Sequence, residues 1–233
     1  MIYTVTLNPS LDYVAFTDTI NSGKTNRTKD EYIVPGGKGL NVSILLSRLG
    51  TKTCAFGFSG GFTGKELERL LELEGINCDF TKVDDNTRIN VKLNSGEITE
   101  FNASGISLDC EKITALKTKL ASLKADDWLC LSGSIPKGGE DSIYKDLALS
   151  VPKGVKVVVD AVGGALLKAL KAKPFLIKPN LDELCDIFGT DIKTLDDIID
   201  YGKKLQTMGA KNVLISMGKD GKIPLKQLEV LMT

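Results

Sequence analysis

Residues 34–50 read VPGGKGLNVSILLSRLG, where Gly36, Gly37 and Gly39 enclose Lys38 ahead of an apolar run of helical period. Two readings suit that arrangement. Glycine tolerates positive φ, so the stretch can be a tight strand-to-helix turn. A glycine-lined helix start also directs free N–H groups and the positive end of the helix dipole outward, which makes an anion site. Three more polar clusters follow candidate strands: NPSLD at 8–12, SGSIP at 132–136 and KPNLDE at 178–183. Singly, they read as a proline-directed turn, a helix-capping loop and an acidic helix start. Jointly, at the carboxyl ends of parallel strands, they read as a site.

The chain contains no histidine. That removes Ser-His-Asp and Cys-His nucleophile pairs, HExxH zinc sites and any imidazole base. Asp, Glu, Lys, Arg, hydroxyls and backbone amides remain, a set suited to positioning and electrostatics, which is most of what phosphoryl transfer needs. Familiar nucleotide loops are missing. A P-loop would need glycine six residues before Lys38, where Tyr32 stands, and a hydroxyl after it, where Gly39 stands. The Gly64-Lys65 pair fails likewise, with Ser59 and Glu66 at those positions, and no GxGxxG follows the first strand.

The elements that must carry these residues alternate. β-branched runs at 2–8, 52–58, 127–133, 155–160, 175–180 and 212–218 read as buried strands. Helical patterns lie near 39–49, 63–74, 109–123, 140–150, 164–171, 181–188 and 195–208. The expected fold class is α/β, a mostly parallel sheet with helices on both faces. Ligands of such sheets gather beyond the carboxyl ends of the strands. Residues 12–34 and 79–102 break the rhythm with alternating, non-helical patterns, and the SG at 95–96 is a hairpin signal. Together they suggest a small β lid, useful where water must be kept from a reactive phosphoryl group. A pair of merely decorative insertions is the other reading.

Composition agrees with an ordinary globular chain. Of 233 residues, 42% are hydrophobic and 26% charged, and 30 basic residues balance 30 acidic ones. That balance gives no reason to expect nucleic acid or a membrane as partner. No apolar run approaches the ~18 residues of a membrane span, and the start lacks signal-peptide character. Five scattered cysteines without a CxxC favour free thiols over disulfides or thiolate zinc. A cytoplasmic location is expected.

At these residues the chain resembles the ribokinase-like (PfkB) carbohydrate kinases. The resemblance rests on Gly36, Gly37 and Gly39 with Asn41, Ser43, Gly50 and Gly60 at the family's spacing. The stretches TLNPSLD, TRINVKL, LSGSIP, IKPNLDE and SMGKDG follow in the family's order, covering about residues 1–221. It implies a single ribokinase-like domain over 1–233 with lid segments 12–34 and 87–103. It also implies ATP- and magnesium-dependent phosphorylation of a ketohexose phosphate, fructose 1-phosphate first and tagatose 6-phosphate second. By the same resemblance, Asp12, Gly37 and Asn41 hold sugar hydroxyls. Lys38, Arg88 and Arg27 hold the phosphate already on the substrate. Asn180 and Glu183 place magnesium and the ATP phosphates, Lys178 reaches a phosphate, and Ser216, Gly218 and Gly221 lie beside the nucleotide. In many family members the lid also pairs protomers into a homodimer.

The family continues past the SMGKDG turn to a glycine-rich GAGD-type motif, which supplies an anion hole and the catalytic Asp. Residues 222–233, KIPLKQLEVLMT, contain neither the motif nor an Asp. The expectation is therefore a chain that stops before the family's catalytic Asp, so no catalytic residue is assigned. An incompletely represented kinase, a frameshifted product and a shortened sugar-phosphate-binding relative without kinase activity all fit. Ile223, Leu225, Leu228, Leu231 and Met232 are expected to form a short amphipathic cover.

Overall fold

The computed structural model describes residues 1–217. The expected amphipathic cover at 222–233 lies outside them, as do Gly218 and Gly221. In the run IYTVT, Val5 packs towards one face of a sheet, and β1 (Ile2–Thr6) becomes one of its inner strands. Its neighbours are β4 (Thr53–Gly60), with β5 (Asn77–Val83) beyond it, and β8 (Trp128–Ser132) on the other side. Past β8 come β9 (Lys156–Asp160), β10 (Leu176–Ile177) and β11 (Asn212–Val213). All seven strands run parallel.

Alternation along β4 shows why the sheet needs two covers. Phe56 and Phe58 enter the larger core, whereas Ala55 enters the smaller one. The smaller core packs Leu40 of α1 (Lys38–Arg48) and Leu67 and Leu71 of α2 (Gly61–Leu73) against Ala55 and Phe80. The larger holds Leu116 and Leu120 of α3 (Cys110–Leu120), Tyr144 and Leu147 of α4 (Ile143–Ser150) and Leu166 of α5 (Gly163–Ala169). Leu184 of α6 (Leu181–Phe188) and Leu205 of α7 (Leu195–Thr207) join it. The two-faced α/β expectation holds.

A second sheet runs in the order β3 (Asp30–Gly36), β2 (Ser10–Phe16), β6 (Arg88–Asn94) and β7 (Ile98–Phe101). β2 is antiparallel to β3 and parallel to β6, and β6 folds back on β7 as a hairpin at Gly96. This is the expected β lid. One boundary changes: residues 77–83, most of which the sequence groups with the interruption at 79–102, form the edge strand of the main sheet. An edge strand leaves part of its length in water, so it alternates much as a lid strand does. The two last predicted strands shrink to two residues each. Pro179 cannot donate to a ladder, and the chain turns into α6 after a single bridge between Asn180 and Ser216.

Chain order fixes where a ligand can sit. From β1 the chain passes through the lid and α1 to β4 and β5, then returns through α3 to β8 on the opposite flank of β1. The crevice beyond β1 and β8 is thus a topological switch point.

Candidate active site

A cleft of about 510 Å³ opens there, lined by Thr6, Asn8, Ser10, Asp12, Gly37, Lys38, Asn41, Arg88, Asn90, Lys92, Glu100, Asn102, Gly133 and Ser134. Five separate stretches of chain meet in it. Of the substrate-binding residues expected from the sequence, Asp12, Gly37, Lys38, Asn41 and Arg88 all line this cleft. Arg27 does not. It sits in the loop between β2 and β3, where its carbonyl accepts from Thr17 Oγ1 at 3.3 Å.

The lid wall carries a polar ladder. Period-two alternation puts Arg88, Asn90 and Lys92 on one face of β6, registered against Ser10, Asp12 and Val14 of β2. Asp12 Oδ1 accepts from Ser10 Oγ at 2.7 Å and from Asn90 Nδ2 at 3.0 Å, and its Oδ2 lies 2.9 Å from Lys92 Nζ. Asp12 is buried, so these donors replace the water that a carboxylate loses on burial. The hydrogen bond to Asp12 lifts the Lys92 ammonium above the ordinary lysine range. Burial pushes the Arg88 guanidinium in the opposite direction, partly offset by the charge of Asp12.

The segment after β7 is fastened to the same residues. Arg88 Nη1 donates to Ala103 O at 2.9 Å, Ala103 N donates to Asn90 Oδ1 at 3.2 Å, and Asn8 Nδ2 donates to Ser104 O at 3.0 Å. Three buried polar atoms of the cleft-lining residues find no partner among the described residues: Thr6 Oγ1, Asn8 Oδ1 and Arg88 Nε. An unmet buried polar atom costs roughly 1–3 kcal/mol. Three in one cleft fit a place that a polar ligand completes.

The glycine-rich turn serves close approach. Gly37 has φ +121°, and a Cβ there would stand 2.7 Å from Thr6 Cγ2, so only glycine fits between β1 and α1. Lys38, the first residue of α1, projects to the ends of the sheet strands. Its Nζ lies 3.2 Å from Asp160 Oδ1 and 3.7 Å from Glu183 Oε1, and Lys178 Nζ lies 3.3 Å from Asp160 Oδ2. Two lysines thus share two mostly buried carboxylates. Beside them, the Tyr144 hydroxyl donates to Gly133 O at 2.9 Å, and burial raises its pKa strongly, helped by Asp160.

Asn180 and Glu183 form a capping box at the start of α6. Glu183 N donates to Asn180 Oδ1 at 2.7 Å and Asn180 N donates to Glu183 Oε2 at 3.0 Å. One Glu183 oxygen is therefore occupied by the cap while the other faces Lys38. Ser216 is tied into the same turn by its backbone, accepting from Leu181 N at 3.0 Å and donating to Pro179 O at 3.1 Å. Among the described residues no three Asp, Glu, Cys or His side chains form a metal cluster.

Several site residues are not singled out by the sequence. Asp160, which does not line the cleft but pairs with Lys38 beside it, is the main one, and its signal is a strand, VKVVVD, ending in a carboxylate on the ligand side. Asn90 and Lys92 were signalled by the alternation that also places Arg88.

The sequence profile described as "pfkB family carbohydrate kinase" matches residues 6–230. The chain is 43% identical over 222 residues to the 1-phosphofructokinase of Bacillus subtilis, covering 95% of this chain and 73% of that protein. It is 38% identical over 234 residues to the D-tagatose-1-phosphate kinase of Bacillus licheniformis, covering 99% and 77%. Among solved structures it resembles phosphofructokinase-2 from Escherichia coli in complex with fructose-6-phosphate, with a TM-score of 0.89 at 31% identity over 94% of this chain and 75% of that one. The fold is ribokinase-like.

Proposed function

The chain belongs to the pfkB family of carbohydrate kinases, ATP-dependent sugar kinases that use magnesium, and on that premise we propose that its cleft binds fructose 1-phosphate for phosphorylation to fructose 1,6-bisphosphate. Tagatose 1-phosphate is the second reading, favoured by the similarity to a D-tagatose-1-phosphate kinase; tagatose 6-phosphate carries its phosphate at a different carbon.

The observation that carries the proposal is the division of charge. On the lid side, Asp12 and Arg88 face the cleft; on the sheet side, Lys38 joins that cleft to Asp160, Lys178 and Glu183. A sugar phosphate needs both hydroxyl acceptors and a cation. Asp12, Asn41 and the Gly37 backbone orient the hydroxyls, and Arg88, whose buried Nε has no partner among the described residues, holds the resident phosphate with bidentate geometry available. Arg27, on the exposed lid loop, reaches the cleft only if that loop folds inward.

Magnesium fits the sheet side. It takes hard oxygen ligands, usually one or two carboxylates completed by phosphate oxygens and water, and Asp160 and Glu183 provide two carboxylates 13–15% exposed. When bound, magnesium neutralises charge on the phosphate oxygens of ATP. Lys38 and Lys178, which pair with those carboxylates, would turn to phosphate if the carboxylates held magnesium. Lys38 then stands between the two substrates, which extends its expected role at the resident phosphate towards the group in transfer. The lid excludes water from the hydroxyl acceptor. No described residue is assigned as general base.

Two further parts of the reading concern surroundings. Val34, Tyr32 and Ile98 are exposed on the same face of the lid sheet as Asp12, which supports a homodimer formed through the lid. No helix of the described residues is long and apolar enough to cross a membrane. The five cysteines are all free thiols, which suits the reducing cytoplasm as location.

Calorimetric titration with fructose 1-phosphate tests the proposal. The chain should bind with a Kd between roughly 1 μM and 1 mM, and Arg88→Ala should weaken binding at least about tenfold. A folded chain without measurable affinity would overturn it.

A further inference from the structure

We infer that Lys92 determines which ketohexose the cleft accepts, its ammonium and Asp12 Oδ2 forming a donor–acceptor clamp for two adjacent sugar hydroxyls. The inference rests on the sugar-phosphate reading above and adds a residue and a basis for discrimination to it.

Register makes the orientation of Lys92 informative. Across the sheet its direct neighbours are Val14 on β2 and Glu100 on β7. A lysine serving only as a cross-strand ion pair would close on Glu100, the directly opposed carboxylate. Instead Lys92 Nζ stands 3.8 Å from Glu100 Oε1, beyond hydrogen-bond range, and reaches diagonally to Asp12 Oδ2 at 2.9 Å. The lysine follows the cleft carboxylate, not its register partner.

Counting donors and lone pairs shows what remains available. Each carboxylate oxygen has about two acceptor sites. Both sites of Asp12 Oδ1 are taken, by Ser10 Oγ and Asn90 Nδ2. Among the described residues Oδ2 receives only Lys92 and retains one site. An ammonium has three donors, and among the described residues the only carboxylate within hydrogen-bond distance of Lys92 is Asp12. The pair therefore presents an acceptor and a donor side by side on the wall of the cleft.

A hydroxyl can both donate and accept. Adjacent hydroxyls of a sugar can satisfy this pair together, one donating to Asp12 Oδ2 and its neighbour accepting from Lys92 Nζ. Inverting one ring carbon moves one of those hydroxyls to the other face, so only one epimer reaches both groups. Fructose and tagatose differ at carbon 4 alone. A site built to bond a hydroxyl discriminates far better than an apolar pocket, because its own polar groups are left unpaired by the wrong ligand.

The test is calorimetric titration of the full 233-residue chain with fructose 1-phosphate and with tagatose 1-phosphate. It is run on wild type, Lys92→Met and Lys92→Arg, with circular dichroism to follow folding. Wild type should prefer one epimer by roughly ten- to hundredfold, the scale of one hydrogen bond to a charged group. Lys92→Met should reduce that ratio to within about threefold. Lys92→Arg keeps the charge but moves the donors, so it should retain affinity for both sugars and still lose most of the ratio; it decides the matter if Lys92→Met does not fold. Equal affinity of wild type for the two epimers would overturn the inference. So would an unchanged ratio in Lys92→Arg, or an equal loss for both sugars in Lys92→Met, which would make Lys92 a general cation for the phosphate. Binding of neither sugar by folded wild type would instead overturn the sugar-phosphate reading and the inference with it.

Discussion

Asp160 holds two lysines at once, with Oδ1 3.2 Å from Lys38 Nζ and Oδ2 3.3 Å from Lys178 Nζ. The cluster satisfies itself: two cations meet two carboxylates, Asp160 and Glu183, in a region partly shielded from water. The same arrangement keeps both lysines extended towards the strand ends and spares each carboxylate an unpaired burial.

Asp160→Asn removes a carboxylate proposed to hold magnesium and the charge that pairs with both lysines. Affinity for magnesium–ATP should fall about tenfold or more, with fructose 1-phosphate affinity changed less than about threefold. Parallel titrations with the two ligands measure the split. Lys38→Ala should weaken both, because Lys38 lines the sugar cleft and also pairs with Asp160.

Gly37→Ala should destabilise the fold. Its φ of +121° is strained for any L side chain, and the new methyl would meet Thr6 Cγ2 at 2.7 Å. A loss of about 1–3 kcal/mol is expected from overpacking, read as a lowered urea midpoint with an unchanged m-value.

The thiols should separate by accessibility. Burial raises Cys78 to about 12 and Cys130 to about 11 from an ordinary 9.0, whereas Cys110 is exposed. Alkylation of the folded chain at pH 8 should modify Cys110 first and leave Cys78 and Cys130 until unfolding, as peptide mass mapping would show. The folded chain holds these two half-buried thiol protons more tightly than the unfolded one. Their contribution to stability is therefore complete below about pH 9 and is lost as pH rises through about 11 to 12. Urea midpoints measured from pH 8 to 11 should decline.

If the lid pairs protomers, Tyr32→Glu should dissociate them. Tyr32 is 47% exposed and contacts Phe16 at a ring separation of 6.0 Å; a carboxylate there would be buried unpaired in the dimer. Sedimentation velocity should show a dimer for wild type and a monomer for the variant, and a wild-type monomer at micromolar concentration would remove the interface.

Most of the sheet was readable because its strands are buried on both faces and spell continuous β-branched runs, as in VKVVVD. β5 was not, since an edge strand shows the alternation of a half-exposed one. In the site, Asp12, Lys38 and Arg88 were readable as residues and the cleft assembles them, whereas Arg27 has the right chemistry but a place on the lid loop. Asp160 was out of reach for another reason. Its partner Lys38 is 122 residues away, and a lone carboxylate ending a strand carries no local pattern. Asn180 and Glu183 show the converse: their spacing also spells a helix cap, and the structure uses them for that.

The parallel pairing of β2 with β6 has a consequence for how the molecule comes into being. Asp12 receives Asn90 across a separation of 78 residues, so no turn can bring the two together early. Closing so long a loop costs entropy before the contacts repay it. During synthesis, the strand bearing Asp12 emerges long before its partner and must wait while β4, α2 and β5 are made. Assembly of the wall that carries Asp12 and Asn90 is then a late event, and the cleft is completed only after the first half of the main sheet can already be in place.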